Sequence, residues 1–191
     1  EITQDPQLRE KLLQALWAIP SYSLAIEPEN LFSDETGIYA HAGWHGRKAE
    51  RNCSLELLPM AGQQEAGFQI DAGVRMRGGS SRHPRYQKHA MRFFFRKQYG
   101  QGKLKYDLFG GDGAQAFDNF DLRCTQQYSW HHGFNPRTIY IRDQLSRDLH
   151  LAMGQTSPRG NFRHLYINGH YWGIFNTCER PEASFGEAYI G

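Results

Sequence analysis

The sequence predicts an α+β domain, a mainly antiparallel sheet with two main helices. Three observations carry this expectation. Apolar residues recur at helical spacing in segments 5–18 and 137–153. Between them, residues 67–77 alternate with period two over an unusually long run. Near the end, Asn168-Gly169 sits between two alternating apolar runs, the strongest short-range signal for a β-hairpin. A chain of 191 residues is long enough to bury a substantial core in one domain.

The first helix has Asp5 to cap it, Pro6 for its first turn and Leu8, Leu12, Leu13, Leu16 and Trp17 on one face. Ile19-Pro20 ends it, and its apolar face is expected to pack across the sheet. Ser23–Ile26 reads as a short strand, 30–36 as polar loop, and 37–41 as another short extended piece. Cys53–Leu58 alternates as a strand. In 67–77, Phe68, Ile70, Ala72, Val74 and Met76 form one face, and Gln69, Asp71, Arg75 and Arg77 the other. A glycine turn follows, then a return strand at 88–96, loop at 103–113, and an extended piece at 117–123. Ile141, Leu145, Leu149 and Met153 mark the second helix, which Gly154 stops. Strands at 161–167 and 170–177 form the hairpin, Pro181 breaks the chain, and 182–190 forms a last short helix. The organisation expected is a single domain: the N-terminal helix in 1–20, the sheet plus helix 137–153 in 21–180, and the start of a linker or second lobe in 181–191.

The composition narrows the function. No apolar run approaches the roughly 20 residues of a membrane helix, and the opening EITQDP has no basic start and no apolar stretch of a signal peptide. A net charge of +2 is too mild to imply nucleic acid. Cys53, Cys124 and Cys178 are too few and too scattered for a disulfide framework, so reduced, packed thiols are expected, with one bridge as the alternative.

The distribution of charge says more than its total. Ten of the 22 Lys and Arg lie between Val74 and Lys105, a stretch without Asp or Glu. At its centre stands Arg77-Gly78-Gly79-Ser80-Ser81-Arg82. Glycines let backbone N–H groups converge on an anion, Ser80 and Ser81 add hydroxyl donors, and Arg77 and Arg82 add charge with bidentate geometry. Lys88 and Arg92 on the return strand reach toward the same place. A plain hairpin turn with a solvated basic rim is the competing reading, and the pattern matches neither the Walker nor the Rossmann fingerprint. In Arg142-Asp143-Gln144-Leu145-Ser146-Arg147, Asp143 and Arg147 form an i,i+4 ion pair that stabilises the helix itself. The functional alternative has an acidic residue of this helix orienting a cation on the sheet, as in protein kinases. Asp112, Asp118 and Asp121 read as solvated or capping loop residues. The nine histidines fit no zinc spacing. The Arg92-Phe93-Phe94-Phe95-Arg96 run is better explained by a strand with a buried face than by single-stranded nucleic acid.

Taken together, GIYAHAG, CSLELL, GFQIDAGVRMRGGSSR, KHAMRFFFRKQYGQGKLKYDLFG, FDNFDLR, YIRDQLSRDLHLAMGQ and HLYINGHYWGIFNTCERPEASF resemble the CotH family of atypical protein kinases in order and spacing. The resemblance covers most of the chain. It implies a kinase-like two-lobe arrangement using ATP with magnesium to phosphorylate protein Ser/Thr, of which this chain is the N-terminal, nucleotide-side part. Gly78, Gly79, Ser80 and Ser81 would cover the phosphates and Lys88 would contact them. Arg142 and Asp143 would lie on the sheet-facing helix, and Glu179 at the hinge to the next lobe. The family's catalytic and metal-binding aspartates lie in a downstream lobe, and no residue here is matched to them. His89-Ala90 departs from members with a small hydroxyl residue after the lysine. It looks most like CotH-like domains within large bacterial extracellular proteins, and this resemblance implies an extracellular or cell-surface setting within a longer multidomain chain.

Two rival readings remain open on the residues. One is a non-catalytic extracellular module whose aromatic loop, Tyr128, Trp130, His131, His132 and Phe134, recognises a glycan or protein. The other is general polyanion binding by the basic ribbon, marked by steep salt dependence.

Overall fold

The computed structural model describes residues 4–60, 62, 66–111, 113–124, 129 and 136–190. Its elements, in order, are α1 (Pro6–Trp17), β1 (Ser21–Ala25), α2 (Pro28–Phe32), β2 (Arg51–Leu58), β3 (Phe68–Arg77), β4 (Ala90–Phe94), β5 (Leu104–Lys105), β6 (Ala116–Phe117), β7 (Asn119–Arg123), α3 (Arg142–Ala152), β8 (Gly160–Ile167), β9 (His170–Cys178) and α4 (Ala183–Tyr189). Seven strands close a barrel in the order β1-β2-β3-β4-β7-β9-β8, and β5 and β6 form a separate two-stranded ribbon. The fold is therefore α+β, as expected, but the sheet has no open edges. Every barrel contact is antiparallel except the closing one, where β1 runs parallel to β8 from Ser21↔His164 to Leu24↔Ile167.

The barrel interior is filled. Tyr22, Leu24, Leu55, Val74, Phe93, Phe120, Leu122, Leu165 and Phe175 are all fully buried. Tyr22 stacks on Phe120 with ring centroids 5.9 Å apart. Strand periodicity produces this, since alternate residues of each strand point inward. The inward set of β3 (Ile70, Ala72, Val74, Met76) is the one its alternation predicts. With the interior of the described barrel filled by side chains, the outer face and the barrel ends are its accessible surface.

Local signals work well at element boundaries. Asp5 Oδ1 accepts from the N–H of Gln7 (2.9 Å) and Leu8 (3.3 Å), with Pro6 opening α1. Asn168 and Gly169 both have positive φ, 49° and 82°, forming the two-residue turn of the β8–β9 hairpin. Asn168 also exchanges two hydrogen bonds with the backbone of Ile26, at 3.0 and 2.8 Å, which fixes the hairpin tip to the end of β1.

Other expectations fail. Residues 28–32 form the short helix α2, which runs into the 30–36 stretch that reads as loop, and 37–41 form turns rather than a strand. Residues 137–141 precede α3 instead of belonging to it. The predicted packing of α1 across the sheet does not occur: none of its residues is buried, and Trp17 is 65% exposed. In α3 the apolar stripe also faces outward, with Leu145, Leu149 and Met153 at 50–71% exposure. The inward residue is Gln144, which donates to Asp148 and accepts from Asn176 Nδ2 at 3.0 Å. Gly160 makes this docking possible, because a Cβ there would lie 2.4 Å from Gln144 Oε1.

Candidate functional site

Where β3, β4, β7 and β9 lie side by side, their outward residues form a charged band. Register places Arg75 beside Arg92, Arg92 beside Asp121, and Arg123 beside Asn176. Asp121 is the hub. Arg92 grips it bidentately, Nε to Oδ1 at 2.6 Å and Nη2 to Oδ2 at 3.1 Å, while Arg77 Nε approaches at 3.2 Å. The aspartate is 2% exposed and Arg92 9%, so this is a desolvated cluster and not a surface pair. The sequence reading of Asp121 as a solvated loop residue is thus corrected: it lies on β7, and its alternation with Phe120 and Leu122 sets it outward against two arginines. Asp118 is half-buried and pairs with Lys103 at 3.4 Å. Asp112 lies outside the described residues.

A second carboxylate, Glu50, anchors the other end of the band. It takes Arg75 at 2.9 Å, Arg96 at 3.0 Å and the Tyr99 hydroxyl at 2.7 Å. Gly73 allows this, since a Cβ there would lie 2.6 Å from the Tyr99 ring and 2.7 Å from Glu50. Phe94 spaces the two clusters, with the Arg75 and Arg96 guanidinium carbons 3.9 and 4.7 Å from its centroid.

The third carboxylate is Asp143, in the first turn of α3. Its Oδ2 accepts from Arg147 at 3.1 Å, the i,i+4 pair read from the sequence, and also from Arg123 on β7. Asp143 therefore pairs both within its own helix, with Arg147, and with a cation of the sheet. The cation is Arg123, which spacing alone does not single out. Arg147 also donates to Asn176 Oδ1 at 2.6 Å, tying helix to strand. Across the band, six arginines meet three carboxylates, so the outer face keeps a surplus of positive charge.

The glycine turn closes the β3 end of this face. Gly78 has φ +98°, and a Cβ on it would meet Ser81 Oγ at 2.0 Å. Ser81 Oγ donates to Arg77 O at 2.7 Å, and Arg82 Nε donates to Gly78 O. Arg82 also reaches Trp44 O and His45 Nδ1, at 3.4 and 3.3 Å. Ser81 and Arg82 therefore brace the turn from within. Gly79 and Ser80 are its exposed members, and Ser80 hydrogen-bonds the Tyr86 hydroxyl.

Lys88 leaves this group. Its Nζ reaches across the barrel mouth, donating to Ile174 O at 2.6 Å and lying 4.2 Å from the Phe175 ring centroid. No carboxylate lies within 4 Å of it among the described residues, and burial pushes its ammonium down to about 8. Arg142 is exposed at the start of α3. Glu179 is at the opposite end of the barrel. Its carboxylate is buried, which raises its pKa, and it accepts from Arg159 N at 2.8 Å and the Tyr189 hydroxyl at 2.5 Å. Of the predicted set, then, the structure joins Arg77 with Arg92, and Asp143 with the sheet. It keeps Lys88 and Glu179 apart from them. The aromatic residues Tyr128, Trp130, His131, His132 and Phe134 lie outside the described residues.

Comparison with protein families bears on what this face is. A family model described as CotH kinase protein matches residues 74–190, more than half of the chain. The chain belongs to the CotH kinase family. Among curated proteins no match is found. The family match begins within β3 and takes in the glycine turn, the arginine band, α3 and the β8–β9 hairpin. The two strands before it, β1 and β2, are what close the CotH domain into a barrel, on β8 and β3. Among the described residues, no helix is long and apolar enough to cross a membrane.

Proposed function

We propose that the outer face of β3, β4, β7 and β9 binds the nucleotide of an ATP-dependent protein kinase reaction. The phosphates lie toward Arg77, Arg123 and the glycine turn, and the base toward Glu179. The observation that carries this is the Arg123–Asp143 pair within a band that has more arginines than carboxylates. Protein kinases require a sheet cation paired with a helix carboxylate, because phosphoryl transfer depends on positioning and on neutralising developing charge. Along β7, the step from Asn119, beside Glu182, to Arg123 is about 13 Å at the usual strand rise, a span that suits an extended nucleotide.

The residues present fit phosphate better than metal. Glu50, Asp121 and Asp143 are each bound to arginines, and among the described residues no three His, Cys, Asp or Glu side chains form a metal-binding group. Magnesium, carried in on the phosphates, would supply further charge neutralisation. This chain's own contribution is cationic: Arg77 and Arg123 hold and orient phosphate oxygens, Asp143 fixes the Arg123 fork, and Asp121 keeps Arg77 and Arg92 in place. The catalytic and metal-binding carboxylates are taken to lie in a downstream lobe, as family resemblance implies, so binding is tested before turnover.

The test is titration of the protein with ATP, with and without magnesium, beside Arg123→Gln and Lys88→Gln. Arg123→Gln is expected to weaken ATP by about tenfold, the value of one lost charge-assisted hydrogen-bond pair, while Lys88→Gln changes affinity less than about twofold. Equal affinity for wild type and Arg123→Gln would sink this placement of the phosphates. A strong loss in Lys88→Gln alone would move the site to the barrel mouth.

A further inference from the structure

The barrel mouth at the Glu179 end holds a different kind of site. A cleft of about 430 Å³ opens there, walled by Pro20, Leu57, Pro59, Tyr106 and Phe109, with Arg163 of β8 among its lining residues. Arg163 is one of the inward-facing residues of β8, beside Leu165 and opposite Phe175, where apolar packing gives way to the opening. Its Nη1 donates to Phe162 O at 2.9 Å. Its Nε is shut off from solvent and has no hydrogen-bond partner.

Three other arginines have a solvent-excluded nitrogen without a hydrogen bond: Arg75, Arg77 and Arg147. Each has a carboxylate, Glu50, Asp121 and Asp143 respectively. Among the described residues Arg163 alone of the four has none. The nearest acid in the wall, Asp107, turns its Oδ1 to the N–H of Gly110 at 2.7 Å. Asn161, two residues before Arg163 on β8, donates to Leu108 O at 2.9 Å, which holds the Tyr106–Phe109 wall against the mouth. A partly desolvated guanidinium without a counter-charge is unfavourable, and a planar fork is best met by a carboxylate.

We infer that the Arg163 cleft binds the carboxylate of a ligand whose body is apolar. One guanidinium matches a single negative charge, and proline, leucine and aromatic walls take the hydrocarbon part. A phosphate, carrying more charge, would need the several cations that this cleft lacks. The same chemistry is offered by a free aliphatic acid and by the terminal carboxylate of an apolar peptide. The cleft is separate from the arginine band, which lies on the outside of the barrel.

The experiment compares hexanoate, its neutral isostere hexanamide, inorganic phosphate, and an acetylated Ala-Leu dipeptide as free acid and as amide. Binding is read by calorimetry and by amide chemical shifts of residues 106–110. Hexanoate is expected to bind at least about tenfold tighter than hexanamide, with Arg163→Gln removing that preference. A dipeptide acid tighter than hexanoate identifies a peptide terminus as the source, and the reverse identifies a small acid. Equal binding of hexanoate and hexanamide overturns the inference, as does a preference that survives Arg163→Gln, or phosphate binding as tightly as hexanoate. So does the absence of hexanoate binding up to about 10 mM. If Arg163→Gln does not fold, the isostere comparison on the unaltered protein still decides, and Arg163→Lys supplies a charge-retaining variant.

Discussion

The carboxylate of Asp143, in the first turn of α3, is shared between Arg123 of β7 and Arg147 one helical turn on. One oxygen thus couples α3, packed on the charged face, to the strand beneath it. Both Arg123 and Asp143 keep about a third of their side-chain surface exposed, so the pair contributes little to stability. Asp143→Asn is expected to lower unfolding free energy by no more than about 1 kcal/mol. It should weaken ATP severalfold by releasing the Arg123 fork. Urea denaturation and nucleotide titration on the same samples separate the two effects. A large stability loss with unchanged affinity would make Asp143 a structural residue only.

Asp121 behaves in the opposite way. It is buried and holds two arginines, so its removal strands two cations on a desolvated face. Asp121→Ala should cost about 3–5 kcal/mol, the penalty of breaking a buried pair from one side. Adding Arg92→Met to that variant should restore part of the loss, because the uncompensated charge goes with it. Denaturant midpoints of the two variants check this; a double variant less stable than Asp121→Ala would contradict the account.

These two aspartates show what was legible in the sequence. Period-two alternation made β3 readable to within a residue, and Asn168-Gly169 fixed the hairpin, because both signals are local. Barrel closure was not legible: the parallel pairing of Ser21 with His164 joins residues far apart in sequence, and no local pattern encodes it. The apolar repeat of α3 announced a helix but carried no sign of which face meets the sheet, where Gln144 and Arg147 find Asn176. Arg77 and Arg92 stood out as basic. Their counter-ion did not, because Asp121 sits in a region rich in glycine and aspartate whose strand is only five residues long. Arg123 was hidden for the same reason: its partner is across space on a helix, not at a fixed spacing.

Lys88 supplies a pH test. Its folded pKa, about 8, lies below the ordinary lysine value of 10.5 because burial disfavours the ammonium. Between these values the unfolded chain binds the proton and the folded chain has released it, so this group makes stability rise with pH from about 8 to 10.5. Below about 8 the folded state carries a buried charge at a cost on the order of 3 kcal/mol. Tyrosines whose pKa is raised act in the reverse sense near the top of that range, so the comparison is with Lys88→Met. The variant should be at least as stable as wild type at pH 7, with the difference shrinking by pH 10. A difference independent of pH would show that Lys88 titrates normally.

The three cysteines are free thiols, all buried, and burial raises the pKa of Cys53 and Cys178. A protonated, enclosed thiol is a poor nucleophile. A thiol reagent should label none of them in the native protein and all three in denaturant, without added reductant. Fewer than three in denaturant would reveal a disulfide.

Tyr189 of α4 joins the segment after β9 to the barrel. Its hydroxyl donates to Glu179 and accepts from Ala114 N at 2.7 Å, and Arg159 lies over its ring at 4.5 Å. Burial raises the pKa of both partners, that of Tyr189 to about 12. Tyr189→Phe keeps the ring and removes the hydroxyl, leaving a buried carboxylate short of a donor and a backbone N–H short of an acceptor. A loss of about 1–3 kcal/mol follows from leaving such groups unsatisfied. The pH dependence should change with it. Because the folded pKa of Glu179 exceeds the unfolded one, its folded form holds the proton longer, and stability falls as pH rises through that interval. Without the tyrosine donor the folded pKa climbs further and the fall extends to higher pH. Adding Glu179→Gln should make the fall disappear, since the amide does not titrate. If Tyr189→Phe matches wild type in stability at pH 5 and pH 8 alike, the hydroxyl does not hold α4 to the barrel.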